Sequence, residues 1–94
     1  MRTETVEIYS DASNAAVMRH PGRQFPGVLI QGDTLHNLYC SIAEVAAAAH
    51  ELLDDEMVAE LEDARDQLSG LVLHYKRVMA EHQLSLPFNE SSDA

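Results

Sequence analysis

The hydrophobic period of this chain changes once, near residue 33, and that change sets what it can fold into. Residues 3–9, TETVEIY, alternate: Val6 and Ile8 face one way, Thr5, Glu7 and Tyr9 the other. Period two is the signature of a half-buried strand. AAVMRH at 15–20 and VLIQ at 28–31 read as two more strands, and SDASN at 10–14 is turn chemistry. Short connections between successive strands favour an antiparallel three-stranded meander.

Beyond residue 33 the apolar residues fall into helical stripes. Leu35, Leu38, Ile42, Val45, Ala49 and Leu52 predict a helix over 34–52, with Asp33 as its N-cap. Leu61, Ala64, Leu68, Leu71, Tyr75, Val78 and His82 predict a second over 55–82, capped by Asp54 or Asp55. Acids at its start and Lys76 and Arg77 near its end suit the helix dipole. The expected fold is α+β: a three-stranded antiparallel meander (3–9, 15–20, 28–31) packed on an antiparallel two-helix hairpin (34–52, 55–82). Gly70 would cost about 1 kcal/mol inside the second helix, and the reading that accounts for it is close contact with the alanines at 46–49. Leu84, Leu86 and Phe88 alternate around Pro87 and predict a tail that folds back as a cap or an edge strand. Residues 89–94 are expected to be disordered.

The stretch RHPGRQFPGVLIQGDTLHNL, 19–38, joins the two halves. Pro21–Gly22 and Pro26–Gly27 each fit the centre of a type II turn, where Pro presets φ and Gly supplies a positive φ. Such turns hold Arg23, Gln24 and Phe25 at a tip, with Phe25 folding back as an anchor. The Phe25–Pro26 bond is a candidate for cis, although trans has the higher base rate.

At 94 residues the chain is expected to be a single domain, 1–94. With no Trp and five aromatic residues, the core must come from Leu, Val, Ile, Met and Ala. The single cysteine, Cys40, can form no internal disulfide. No charged start precedes an apolar run, and no run approaches the ~20 residues of a membrane span. The expectation is a cytoplasmic protein. The net charge of −10 is uneven. Residues 1–32 balance Glu4, Glu7 and Asp11 against Arg2, Arg19 and Arg23, whereas 33–94 set thirteen acids against Arg65, Lys76 and Arg77. No basic face is available for nucleic acid or for an anionic membrane. The acidic half serves solubility or meets a basic partner.

Chemistry is sparse. Of the five histidines, His36 lies four residues from Cys40, so the two can share a helix face. Zinc needs three or four ligands, and neither His-Glu-x-x-His nor paired Cys-x-x-Cys is present. The acids from Glu51 to Asp66 read as helix and lack the glycine of a calcium loop. No Gly-x-Ser-x-Gly turn or Gly-rich phosphate loop appears. No metal, no cofactor and no nucleophile–base constellation can be assigned, so the reading is non-catalytic.

The surface is more informative. The second strand is apolar on both faces, and a helical hairpin covers one. The other would show Tyr9, Ala16, Met18 and Leu29, a patch of the kind that marks an interface. A homodimer is the simplest cover; the alternative is the C-terminal tail. The leading expectation is a protein-binding module acting as a homodimer. One alternative is an immunity- or antitoxin-like inhibitor of a basic partner. Another is an anionic small-molecule site where the 21–27 loop meets the first helix, built from Arg19, Arg23, Gln31 and His36. Arg23 is the residue of that loop that architecture alone does not explain.

The run PGRQFPGVLIQGDTL, together with SDASNAAVMR before it, resembles a family of small uncharacterised bacterial proteins, a domain of unknown function. Its members share an N-terminal strand, a second strand like Asn-Ala-Ala-Val, this Pro-Gly-Arg-x-Phe-Pro-Gly-Val segment and a helical half ending near Leu-Pro-aromatic. Here that ending is Leu86, Pro87 and Phe88. The resemblance covers most of the chain, rests chiefly on residues 10–35 and implies a bacterial source. It implies no activity and carries over no functional residues.

Overall fold

The computed structural model describes residues 1–89. Its elements are β1 (Glu7–Ser10), β2 (Ala15–Arg19), β3 (Gly27–Ile30), α1 (Gly32–Ala48), a 3-10 turn (Ala49–Glu51) and α2 (Asp55–Glu81). The class is α+β, a three-stranded antiparallel sheet followed by a pair of helices, as the change of period predicts. The chain divides into two compact units, Met1–Gln31 and Gly32–Ala94.

In the sheet unit the strand order is β1-β2-β3. Ala15 to Met18 of β2 pair in unbroken register with Ile30 to Gly27 of β3. The β1–β2 ladder sets Glu7 against Arg19 and Ile8 against Met18, then slips so that Ser10, not Tyr9, faces Val17. Tyr9 is the extra residue of a β-bulge. β1 begins four residues later than the alternation of 3–9 predicts, because pairing extends no further back than Glu7. Side chains hold the first turn: Ser10 Oγ accepts from the Ala12 N–H (3.4 Å) and Ser13 Oγ from the Ala15 N–H (3.3 Å).

The second turn is the type II turn expected at Pro21–Gly22. Gly22 has φ +83° and the Arg23 N–H donates to the His20 carbonyl (3.1 Å). The turn expected at Pro26–Gly27 does not form. Gly27 lies outside the left-handed region and is already in β3, opposite Met18. One reversal at 20–23 suffices, so Pro26 leads straight into a strand. The Phe25–Pro26 bond is trans. Phe25 is not an anchor: it is 73% exposed.

The helices of the second unit run antiparallel. Gly32 at the start of α1 meets Tyr75 late in α2, and at the other end His50 Nε2 lies 4.0 Å from Glu62 Oε2. Gly32 is buried, and a Cβ on it would overlap the Tyr75 ring. This contact carries α1 back to Gly32, so Asp33 stands inside the first turn and not at the N-cap; its carboxylate accepts from the neighbouring Thr34 N–H (2.8 Å). Gly70, expected to make the close approach, is exposed and has open space where a Cβ would be.

The buried faces are rotated by about one residue from the predicted stripes. His36, Ala46 and Ala49 of the first stretch and Val58 and Val72 of α2 are buried, whereas Leu38, Val45 and Leu71 are exposed. Small residues let the helices approach, so the seam runs along them and the larger aliphatics flank it. The first helix ends at Ala48, not at 52. The chain tightens there, with the Leu52 and Leu53 N–H groups both donating to the Ala49 carbonyl (3.0 and 2.9 Å), and this leaves Leu52 82% exposed.

Asp54 caps α2, accepting from the Met57 N–H at 2.9 Å. At the far end Gln83 takes φ +58°, the Gln83 N–H donates to the Ala80 carbonyl (3.1 Å) and the Leu84 N–H to the Met79 carbonyl (2.9 Å). That is a Schellman motif with glutamine in the usual place of glycine. It turns the chain out of the helix at His82, which is exposed and not part of the core stripe. The tail folds back as a cap and not as a strand: Leu86 and Phe88 are half-buried. The rest of the expected disordered tail, 90–94, lies outside the described residues.

The two glycines should respond oppositely to the same change. Gly70→Ala should raise stability by about 1 kcal/mol. Gly32→Ala should lower it by about 1–3 kcal/mol, because Tyr75 must move. Urea midpoints at unchanged slope measure both.

Candidate functional site

Two groupings of side chains stand out, one in each unit. In the sheet unit, register places Arg19 directly across from Glu7. Arg19 Nε and Nη2 both reach Glu7 Oε1, while Nη1 donates to the Arg23 carbonyl at 2.9 Å. The Glu7 carboxylate, by hydrogen bond and by charge, raises the Arg19 guanidinium above its ordinary value, with a smaller contribution from Tyr9. Arg19 thus ties the end of β1 to the turn after β2. Its donors face a carboxylate and a carbonyl within its own unit.

Arg23 differs. Its backbone is fixed from both sides, by the turn bond and by Arg19, yet its guanidinium has no hydrogen-bond or ion-pair partner among the described residues. It lines a shallow concavity with Met18, His20, Phe25, Gly27, Val28 and Leu29. His20 Nδ1 lies 2.8 Å from the Pro21 carbonyl; the ring donates there in the Nδ1–H tautomer, which leaves Nε2 as an acceptor.

Register also sorts the strand side chains by face. Ile8 opposite Met18 and Ala16 opposite Leu29 share one face. Ala15 opposite Ile30 and Val17 opposite Val28 share the other, with the Glu7–Arg19 pair at its end. Tyr9, grouped with Ala16, Met18 and Leu29 from the sequence, belongs instead beside Arg19, and Ile8 takes its place. Both faces are apolar, and none of the described residues of this unit is buried.

In the helical unit the grouping is His36, Cys40, Tyr75 and Phe88. His36 is 5% exposed, and its ring stacks on Phe88 with centroids 4.0 Å apart and planes 3° apart. Tyr75 completes the cluster, 6.3 Å from Phe88 and tilted by 33°. Cys40 Sγ lies 3.7 Å from His36 Nε2 and 3.9 Å from Nδ1, a long thiol–imidazole contact between residues four apart on α1. Among the described residues no three His, Cys, Asp or Glu side chains are grouped to hold a metal ion. The pair reads as a weak polar contact inside an aromatic cap.

Arg19 and Arg23 are therefore brought together. Gln31 is exposed at the end of the sheet unit, and His36 is enclosed in the helical one. The acids of α2 are largely solvated, with Arg65 bonded to Asp66 (3.0 Å) and 3.8 Å from Glu62. Among the described residues no helix is long and apolar enough to cross a membrane. The stack of Phe88 on His36 and the Glu7–Arg19 pair are contacts that sequence reasoning missed. For Glu7–Arg19 the signal was present, opposite charges at the ends of adjacent strands; for His36–Phe88 there was none beyond an aromatic residue after the helix.

The family model of DUF6959, described as a family of unknown function, matches residues 1–88. The chain belongs to that family. No curated protein and no solved structure matches it. The match ends at Phe88, the residue that closes the aromatic cap, so the whole of the described cluster lies within the DUF6959 match.

Phe88→Ala in this DUF6959 chain should cost about 1–2 kcal/mol, less than a fully buried ring because Phe88 is only half-buried. It should also speed alkylation of Cys40 by iodoacetamide in the folded protein. Unchanged alkylation would mean that Phe88 does not shield the His36–Cys40 pair.

Proposed function

We propose that the chain is a non-catalytic binding module that works as a homodimer formed through its sheet unit. The observation that carries this reading is that both faces of the sheet are apolar and that β1 and β3 are exposed while the centre of β2 is only half-buried. Ile8, Ala16, Met18 and Leu29 form one face, and Ala15, Val17, Val28 and Ile30 the other. A unit of about thirty residues is too small to hold itself together by its own core. A second copy offers apolar surface against which the sheet unit can bury its own. The charge distribution favours the same region: residues 1–32 are neutral, so copies of net charge −10 meet there with least repulsion.

A second reading has its own observation, the Arg23 guanidinium beside His20 and Phe25, without a partner among the described residues. A small anion with an apolar part, held by Arg23 over Met18 and Leu29, fits that concavity. Arg19 supports it by fixing the Arg23 carbonyl, while its other donors meet Glu7.

Sedimentation velocity should show a dimer at micromolar concentration, tightening as salt screens the like charges. A monomer at high protein concentration ends the dimer reading. For the second reading, thermal-shift screening with organic carboxylates and phosphates should raise the melting temperature of the wild type and not of Arg23→Ala. Equal shifts in the two proteins remove it.

A further inference from the structure

The two edges of the sheet are not alike. β1 is blunted in three ways: it begins at the charged Glu7, it carries a bulge at Tyr9, and Asp11 follows it directly. Bulges and charges at an edge are the devices by which a sheet refuses further strands. β3 has none of them. Gly27, Val28, Leu29 and Ile30 hold an unbroken ladder with β2, carry no charge and are all exposed. Among the described residues no backbone or side-chain hydrogen bond reaches the outer edge of β3. Half of its amide and carbonyl groups therefore point outward along a straight apolar strand.

We propose that the outer edge of β3 pairs antiparallel with β3 of a second copy, joining two three-stranded sheets into one of six strands. This rests on the self-association reading above and names the contact that makes it. The strand is complementary to itself. A two-fold axis normal to the sheet at Leu29 sets Leu29 opposite its own copy and Val28 opposite Ile30 of the partner, in both directions. Residues directly opposite in an antiparallel pair share a face, so this register continues each apolar face across the junction. Leu29 extends the Ile8, Ala16, Met18 face into that of the other copy, and Val28 and Ile30 do the same on the reverse side. The pairs formed by residues 28–30 are all apolar, and none sets like charges together. The contact is isologous, the commonest arrangement of soluble dimers. β3 also lies in the neutral part of the chain, between Arg23 and Asp33, and carries no carboxylate itself.

The test compares two matched lysine substitutions. Ile8 and Leu29 share a face and are similarly exposed, at 57% and 55%, so Ile8→Lys on the blunted edge and Leu29→Lys on the open one disturb the fold alike. Each variant is followed by sedimentation, and the wild type also by amide hydrogen exchange at low and high protein concentration. Edge pairing predicts that Leu29→Lys weakens the dimer by about tenfold or more while Ile8→Lys leaves it within about twofold. It also predicts that amides within 27–30 slow their exchange as concentration rises, and that those of 7–10 do not. A wild-type dimer weakened equally by both substitutions, or one whose β3 amides stay unprotected, overturns edge pairing and leaves a face-to-face dimer. A wild-type monomer overturns edge pairing and the self-association reading together.

Discussion

The contact between Gly32 and the Tyr75 ring is the constraint on which the helical unit depends. The ring can lie against the backbone there only because no Cβ is present. That sets where α1 starts and places Asp33 inside its first turn. It also holds Tyr75 where Phe88 reaches it, and Phe88 in turn lies flat on His36. A buried imidazole is ordinarily held by hydrogen bonds; here the ring lies between aromatic contact and the Cys40 sulfur, its polar partner among the described residues. The arrangement compensates for a thin core. Val72 is the one large side chain fully buried among the described residues, and the alanines of α1 give close approach but little volume.

What could be read in advance was the order and kind of the elements, because hydrophobic period depends on local geometry alone. What could not be read was anything that depends on which atoms meet. The stripe of Leu35, Leu38 and Ile42 marks a helix correctly, yet the seam lies a residue further round, at His36 and Ala46, since a partner helix seeks the smallest residues. Gly70 and Gly32 are the same residue type in helices of the same chain. Only the position of Tyr75 tells which of them is under pressure. Tyr9 falls on the face opposite to Met18 for a related reason: a bulge is a property of two strands, and one strand's alternation does not contain it.

The turns divide the same way. Pro21–Gly22 and Pro26–Gly27 are identical dipeptides, and both meet the local requirements of a type II turn. Only the first reverses the chain, because the ladder between β2 and β3 needs one reversal and the second pair falls where that ladder already runs. Gln83 shows the converse. Its left-handed backbone is held by two hydrogen bonds to the last turn of α2 although the residue type does not favour it. As for the candidate site, Arg23 could be singled out from the sequence because nothing local explained it. That Arg19 is already engaged by Glu7, and so belongs to the scaffold, needed the register.

The bulge at Tyr9 has a consequence for assembly as a whole. Sheets whose two edges are both open can recruit neighbours without limit, which is the geometry of filaments and of amyloid. A sheet with one edge spoiled is a sheet with a single valence. Whatever strand it would accept at β3, it offers nothing for a next chain at β1, so growth would have a terminus built into the third residue of the first strand. Any pairing at β3 would end at β1, where the bulge at Tyr9 interrupts the ladder.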